Sequence, residues 1–153
     1  MAGIAYLGLG TNIGNKRRNL ITAAAMLAER AGDVLTLSRF YESEPWGFKS
    51  ENLFLNAALK LRTELAPLEL LSVSKQIEKE MGRTEKTCGE YHDRIIDIDI
   101  LLYDSLIMKD AGLLIPHPLM TERKFVMEPL AEIAPAFIHP VLKLTMAELN
   151  EKL

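Results

Sequence analysis

Arg94-Ile95-Ile96-Asp97-Ile98-Asp99-Ile100-Leu101-Leu102 is the stretch whose reading decides the fold. Its apolar, largely β-branched composition reads as a strand, in which residues two apart share a face. Ile96, Ile98 and Ile100 then line one face, and Asp97 and Asp99 share the other with Ile95 and Leu101. At about 3.3 Å rise per residue, the two aspartate Cα atoms stand roughly 6.6 Å apart. Carboxylates ~6 Å apart repel by about 3 kcal/mol at an effective dielectric of 20, so the pair calls for a counter-charge. Arg94 is one candidate. A divalent cation shared with substrate phosphate is the better one, because Mg²⁺ takes one or two carboxylates plus phosphate oxygens. The competing reading is an edge strand carrying two solvated aspartates. A run this rich in Ile and Leu suits a central strand better, which favours the metal.

Working outward, Ile4 to Gly10 reads as a buried strand stopped by Thr11-Asn12-Ile13-Gly14-Asn15. A helix follows, with Leu20, Ala24, Leu27 and Ala28 at helical spacing and Gly32 as its stop. Val34 to Tyr41 is a second strand, and Phe54 to Thr63 alternates as a third. There Leu55, Ala57, Leu59 and Leu61 face one way, and Asn56, Ala58, Lys60 and Arg62 the other. Pro67 opens a helix whose Leu70, Ser74, Ile77 and Met81 run down one side to Gly82. Residues 83–93 form a polar loop into the aspartate strand. Asp104-Ser105 and Lys109-Asp110 mark turns, Pro116-His117-Pro118 excludes regular structure, and a helix over Arg123 to Ile133 must bend or end at Pro129. Thr145-Met146-Ala147-Glu148 matches a capping box. The order β-α-β-β-α-β favours an α+β sheet packed with helices.

At 153 residues, 48% of them hydrophobic and 25% charged, the chain suits one globular domain, residues 1–153. A formal net charge of -3 provides no general attraction to nucleic acid or to an anionic membrane. The single cysteine, Cys88, excludes an internal disulfide and fits a reducing cytosol. No apolar run reaches the ~20 residues of a membrane span, and the N-terminus carries no basic-then-apolar signal. A soluble, cytoplasmic protein is expected.

Gly8-Leu9-Gly10-Thr11-Asn12-Ile13-Gly14 fails as a dinucleotide fingerprint because its third glycine is one position late. It fails as a phosphate loop because Asn15 stands where the lysine belongs, so the glycines are read as permitting a tight strand-to-helix turn. Arg83 and Arg94 bracket the polar loop, and arginine beside a metal pair is recurring equipment of phosphoryl transfer. Lys86 is read as a solvated charge. His117 gains weight over His92 because its flanking prolines fix an exposed loop. Trp46 and Phe48, with Phe54 just beyond, lie where a core is hard to build, and a platform for a flat ring competes with burial.

Together these segments resemble the 6-hydroxymethyl-7,8-dihydropterin pyrophosphokinase family of folate biosynthesis. The similarity runs from Tyr6-Leu7-Gly8-Leu9-Gly10-Thr11-Asn12-Ile13-Gly14 through Tyr41-Glu42-Ser43-Glu44-Pro45-Trp46-Gly47 and Phe54-Leu55-Asn56-Ala57-Ala58. It continues in Ile77-Glu78, Gly82-Arg83, the aspartate strand and Ile115-Pro116-His117-Pro118, and closes at Glu128-Pro129-Leu130-Ala131-Glu132-Ile133-Ala134-Pro135. The resemblance implies a ferredoxin-like α+β fold, a mainly antiparallel sheet flanked by helices. It also implies ATP as co-substrate, two Mg²⁺ ions and transfer of pyrophosphate to the pterin hydroxymethyl group with release of AMP.

By the same resemblance Asp97 and Asp99 hold the metals, and Arg83 and Arg94 act catalytically on the phosphates. Phe54 and Phe125 stack on the pterin, Asn56 reads its edge, and Ser43, Pro45 and Trp46 line its pocket. Glu78, Ile100, Ile115, His117 and Arg123 belong to the ATP site. Tyr91-His92-Asp93 replaces the family's more usual Trp-Gly-Pro, Glu85 and Glu90 fall near positions of arginine in some relatives, and Pro118 replaces a tyrosine. The implied partners are small-molecule substrates, with no nucleic acid, no membrane and no obligate protein partner. Two other readings compete. One is another Mg²⁺-dependent nucleotide enzyme, against which the aromatic pair and Asn56 argue. The other is a non-catalytic ligand-binding module, in which Arg83 and Arg94 beside two carboxylates have no purpose.

Overall fold

The computed structural model describes residues 2–45, 52–82, 95–110 and 112–153. Strand β1 (Gly3–Thr11) leads through Asn15, whose side chain accepts the Arg18 N–H at 3.1 Å, into helix α1 (Lys16–Arg30). Strands β2 (Asp33–Leu37), β3 (Tyr41–Ser43) and β4 (Phe54–Thr63) follow, then helix α2 (Pro67–Glu80) and strand β5 (Asp97–Tyr103). A hairpin of β6 (Met108–Asp110) and β7 (Leu113–Ile115), a 3₁₀ turn at Met120–Glu122, and helices α3 (Lys124–Ile133) and α4 (Met146–Glu151) complete the order. Among the described residues, no helix is long and apolar enough to cross a membrane.

The main sheet runs β2-β4-β1-β5, with β3 also on β4 and every pairing antiparallel. This is the ferredoxin-like arrangement that the resemblance implies, and it fits the α+β sheet expected from the element order. Strand alternation divides the interior into two cores. On one face Ala5, Leu7, Leu9, Leu59, Leu61, Ile96, Ile98 and Ile100 pack against Leu20, Leu27, Leu70 and Ile77 of α1 and α2. On the other, Tyr6, Ala58, Leu101 and Leu102 pack against Met120, Val126, Met127, Leu130, Met146 and Leu149. Each fully buried leucine contributes about 2 kcal/mol of transfer free energy, so both faces are held strongly.

Several expectations change. The aspartate strand is not central: among the described residues β5 pairs with β1 alone and ends the sheet. It is apolar because both faces are covered, and its outer edge is partly capped. The Ile98 N–H donates to Glu78 Oε2 at 2.7 Å, and the Leu101 carbonyl accepts the His117 N–H at 3.0 Å. A bulge at Leu101, between the pairs Tyr6–Leu102 and Leu7–Ile100, turns Leu101 and Leu102 both into the second core. The strand expected over Val34 to Tyr41 is interrupted at Ser38, whose hydroxyl accepts the Ala58 N–H at 2.8 Å in place of a ladder bond. Lys109 and Asp110 lie in β6, and the turn falls after them, at Gly112 with φ +83°. Helix α3 continues past Pro129, because its buried face of Val126, Met127, Pro129 and Leu130 outweighs the missing N–H. The capping box at Thr145 forms as expected, Thr145 Oγ1 accepting the Glu148 N–H at 3.1 Å while Glu148 Oε1 accepts the Thr145 N–H at 2.9 Å.

Gly32, the expected stop of α1, sits where an added Cβ would come within 2.1 Å of the Arg62 carbonyl oxygen. Gly32→Ala should therefore destabilise by roughly 3 kcal/mol, since strand β4 must move to admit it; urea denaturation measures this. His139 is buried, and its Nδ1 accepts the N–H groups of Val141 and Leu142 at 3.2 and 3.1 Å, so the neutral ring carries its proton on Nε2. Burial holds its pKa below the ordinary 6.5. The unfolded chain therefore binds this proton more readily, and stability should fall as pH drops below about 6.5 toward the lowered folded value, by at most ~1.4 kcal/mol per pH unit. His139→Asn keeps an acceptor and cannot titrate, so it should flatten that slope in denaturation measured between pH 5 and 8. His117, whose pKa burial also lowers, adds a slope of the same sign.

Candidate active site

The register of the sheet assembles the site. Gly10 of β1 lies opposite Asn56 of β4 on one side and Asp97 of β5 on the other, and Gly8 lies between Ala58 and Asp99. Strands about 4.8 Å apart place Asn56 and Asp97 roughly 10 Å from each other across one face, with glycines in the strip between them. The glycines add no side chain of their own to that strip, and Leu101 packs over the Gly8 end of it. A Cβ on Gly10 would stand 3.3 Å from Asn56 Oδ1 and 3.7 Å from Phe54 Cδ1. Gly8 and Gly10 thus belong to the strand, and the tight-turn role expected for the glycines falls to Gly14, with φ +76°. Sequence reading missed this use of Gly8 and Gly10. Their signal is two glycines at i and i+2, on one strand face, inside a run that has no need to turn.

Asn56 is buried, and its Nδ2 donates to the Tyr41 carbonyl at 3.0 Å and to Ser43 Oγ at 2.8 Å. Both amide hydrogens are used, which orients Oδ1 toward Gly10 and Phe54 as an acceptor. Ser43, Pro45, Phe54 and Phe125 are all half-buried. Phe125 lies in the first turn of α3, with the Arg123 guanidinium carbon 5.6 Å from its ring centroid. This end offers apolar ring surface beside one fixed acceptor, which suits a flat heterocycle with an N–H on its edge.

Beside it opens a cavity of 410 Å³, lined in part by Asp97, Asp99, Ile100, Glu78, His117 and Arg123. That volume lies within the range of small-ligand pockets. The cavity carries two half-exposed aspartates, a buried arginine and a histidine. His117 Nδ1 accepts the Leu119 N–H at 3.2 Å, so Nε2 is its donor in the neutral form. Burial lowers the His117 pKa, the Arg123 charge lowers it further, and Asp97 opposes them. Glu78 lines the cavity while its Oε2 takes the Ile98 amide, so it braces the aspartate strand as well as facing the site. The Ile115 side chain is buried in the first core, which leaves its backbone for the nucleotide side, and Leu113 and Leu114 of the same hairpin line the cavity. Lys75 and Leu71 also line it. They sit on the same face of α2 as Glu78, a spacing readable once Glu78 is placed.

Among the described residues, no three His, Cys, Asp or Glu side chains gather as a metal cluster. Two carboxylates two apart on one strand face, opening into a cavity with cationic walls, fit a hard cation that completes its shell with phosphate and water. The expectations for Trp46, Arg83 and Arg94 concern residues outside the described ones.

Known proteins share this chain's sequence pattern and fold. The sequence pattern of the 7,8-dihydro-6-hydroxymethylpterin-pyrophosphokinase family matches residues 6–135. A 2-amino-4-hydroxy-6-hydroxymethyldihydropteridine pyrophosphokinase of Porphyromonas gingivalis is 50% identical over 139 residues, 90% of this chain and 94% of that protein. The Aquifex aeolicus protein of the same name is 41% identical over 143 residues, 94% of this chain and 88% of that one. In fold, the chain superposes with a TM-score of 0.83 and 21% identity on a Plasmodium falciparum HPPK-DHPS triple mutant. That match covers 99% of this chain and 44% of the solved one. With the family pattern spanning residues 6–135 and relatives 50% and 41% identical over 94% and 88% of their own length, the chain belongs to the 7,8-dihydro-6-hydroxymethylpterin-pyrophosphokinase family.

Proposed function

We propose that this protein transfers pyrophosphate from ATP to 6-hydroxymethyl-7,8-dihydropterin, giving the pterin pyrophosphate and AMP in folate biosynthesis. The observation that carries the reading is the row Asn56–Gly10–Asp97, which sets a heterocycle-reading amide and a metal-competent carboxylate on one sheet face. In this reading the pterin stacks between Phe54 and Phe125, Asn56 Oδ1 accepts from its edge, and Ser43, Pro45 and Trp46 complete its pocket. ATP occupies the cavity, with Glu78 and the backbone of Ile100 and Ile115 on its base side and His117 Nε2 and Arg123 as donors to its phosphates. A cytoplasmic location, residues 1–153 as one domain and no obligate protein partner belong to the same reading.

The pterin hydroxyl oxygen attacks the β-phosphorus, and the bond from that phosphorus to the oxygen shared with the α-phosphate breaks. Its electron pair leaves on AMP, and the hydroxyl proton passes to solvent. Such transfers ask little covalent work of the protein, so the residues act by holding both substrates in line and matching charge. Asp97 and Asp99 would hold two Mg²⁺ ions, which when bound neutralise phosphate charge and favour the leaving oxygen. Arg83 and Arg94 would donate to the oxygens of the transferred group, where removing one aimed donor commonly costs about 3–4 kcal/mol of transition-state stabilisation.

Incubated with ATP, Mg²⁺ and the hydroxymethyl dihydropterin, the protein should yield AMP and no ADP by nucleotide chromatography. Asp97→Asn and Asp99→Asn should each abolish that product while leaving the melting temperature near that of the parent. ADP as the main product would mean attack at the γ-phosphorus and would sink the assignment; ATP binding without any turnover would favour the binding-module reading. Gly10→Val places a branched side chain in the cleared strip at no cost to strand propensity. It should raise the KM for the pterin at least roughly tenfold while the protein still folds, a loss of at least ~1.4 kcal/mol of binding. An unchanged pterin KM would show that the strip is not the ring site.

A further inference from the structure

Tyr41 and Glu132 do not line the cavity, yet their contact joins the strand opposite Asn56 to the helix that carries Phe125. The Tyr41 hydroxyl donates to Glu132 Oε1 at 2.6 Å, and the Arg39 backbone N–H reaches both Glu132 oxygens, at 3.1 and 3.3 Å. The carboxylate is held well enough that, although burial pushes its pKa up, the Tyr41 hydroxyl and the Arg39 amide and guanidinium bring it below the ordinary carboxylate value. Glu132 belongs to α3, the helix whose first turn carries Phe125. Tyr41 opens β3, a strand of three residues that among the described residues pairs with β4 alone, Tyr41 opposite Asn56 and Ser43 opposite Phe54.

The chain of contacts continues inward. The Tyr41 carbonyl and the Ser43 hydroxyl are the two acceptors that take the Asn56 amide hydrogens and so aim Oδ1 at the pocket. A three-residue strand has too few ladder bonds to fix its own distance from a helix. The Glu132 carboxylate ties this one to α3.

We infer that Tyr41 and Glu132 are positioning residues for the heterocycle: their contact sets the spacing between the helix carrying Phe125 and the strand that orients Asn56. The inference rests on the activity proposed above, and it makes the pair specific to one substrate, since the nucleotide cavity lies on the far side of β1.

The test compares Tyr41→Phe, Glu132→Ala, Glu132→Gln and the double variant Tyr41→Phe/Glu132→Ala. Calorimetry gives the Kd for 6-hydroxymethyl-7,8-dihydropterin in the presence of a non-hydrolysable ATP analogue, and steady-state kinetics give the KM for each substrate. Loss of one or two hydrogen bonds should weaken pterin binding roughly threefold to tenfold in Tyr41→Phe and Glu132→Ala, leaving the KM for ATP within about twofold. Glu132→Gln keeps a side-chain acceptor for the tyrosine and the amide, and should bind pterin nearly as well as the parent. The double variant should be no weaker than the worse single one, because the two residues act through one contact. Equal pterin affinity in Tyr41→Phe, or equal losses for pterin and ATP, overturns the inference alone. A parent protein that binds no pterin overturns the activity reading and this inference with it.

Discussion

The constraint on which everything else depends is the antiparallel register of β1 between β4 and β5. Pairing Gly10 with Asn56 and with Asp97 at once puts three residues from distant parts of the chain in one row. A slip of one residue on either side would send Asn56 or Asp97 to the opposite face, into the apolar core under α1 and α2. The register is secured by that same core: Leu7, Leu59, Ile98 and Ile100 must all point one way to be buried. Stability and site geometry are thus one requirement. The burial of one sheet face by α1 and α2 dictates what the other face presents.

The second face is shared between packing and chemistry along its length. Toward one end Tyr6, Ala58, Leu101 and Leu102 are covered by α3 and α4. Toward the other end the strands carry glycine, asparagine and aspartate, and the covering helices give way to the site. The bulge at Leu101 sits at the changeover and turns two leucines inward where the aspartates stop. The outer edge of β5 is then served by groups that also face the cavity, Glu78 through its carboxylate and His117 through its backbone. Edge strands invite pairing with other chains, and these contacts use two of the edge groups that would allow it. They also fix the direction from which His117 approaches the aspartates.

Misreadings of the sequence share one cause. The Ile- and Leu-rich aspartate strand suggested a central position because burial normally comes from neighbours on both sides. Here it comes from helices on both faces and from side-chain caps at the edge, contacts separated by tens of residues in the chain. The glycines of β1 suggested a turn because glycine's local use is conformational freedom. Their use here is an absence of side chain, visible only when Asn56 and Phe54 are seen beside Gly10. Ser38 misleads for the converse reason, and Pro129, expected to bend or end its helix, is carried within it. A local rule breaks or preserves an element there according to what packs against it, the Ala58 amide in one case and the second core in the other.

What the sequence determined by itself was whatever depends on near neighbours. The alternation in β4, the capping box at Thr145, Pro67 at its helix start, and the two aspartates on one face all follow from residues within a few positions of each other. Their order, β-α-β-β-α-β, together with the recurrent motifs, sufficed for the fold class and the family. What only the tertiary structure decided was the pairing of distant segments. It seated Asn56 and Asp97 across Gly10, turned the Asn56 amide by way of Tyr41 and Ser43, and joined α3 to β3 through Glu132. Those contacts span up to ninety-odd residues of chain. Periodicity reports which face a residue takes, but register across strands is set by collective burial, which no single segment encodes.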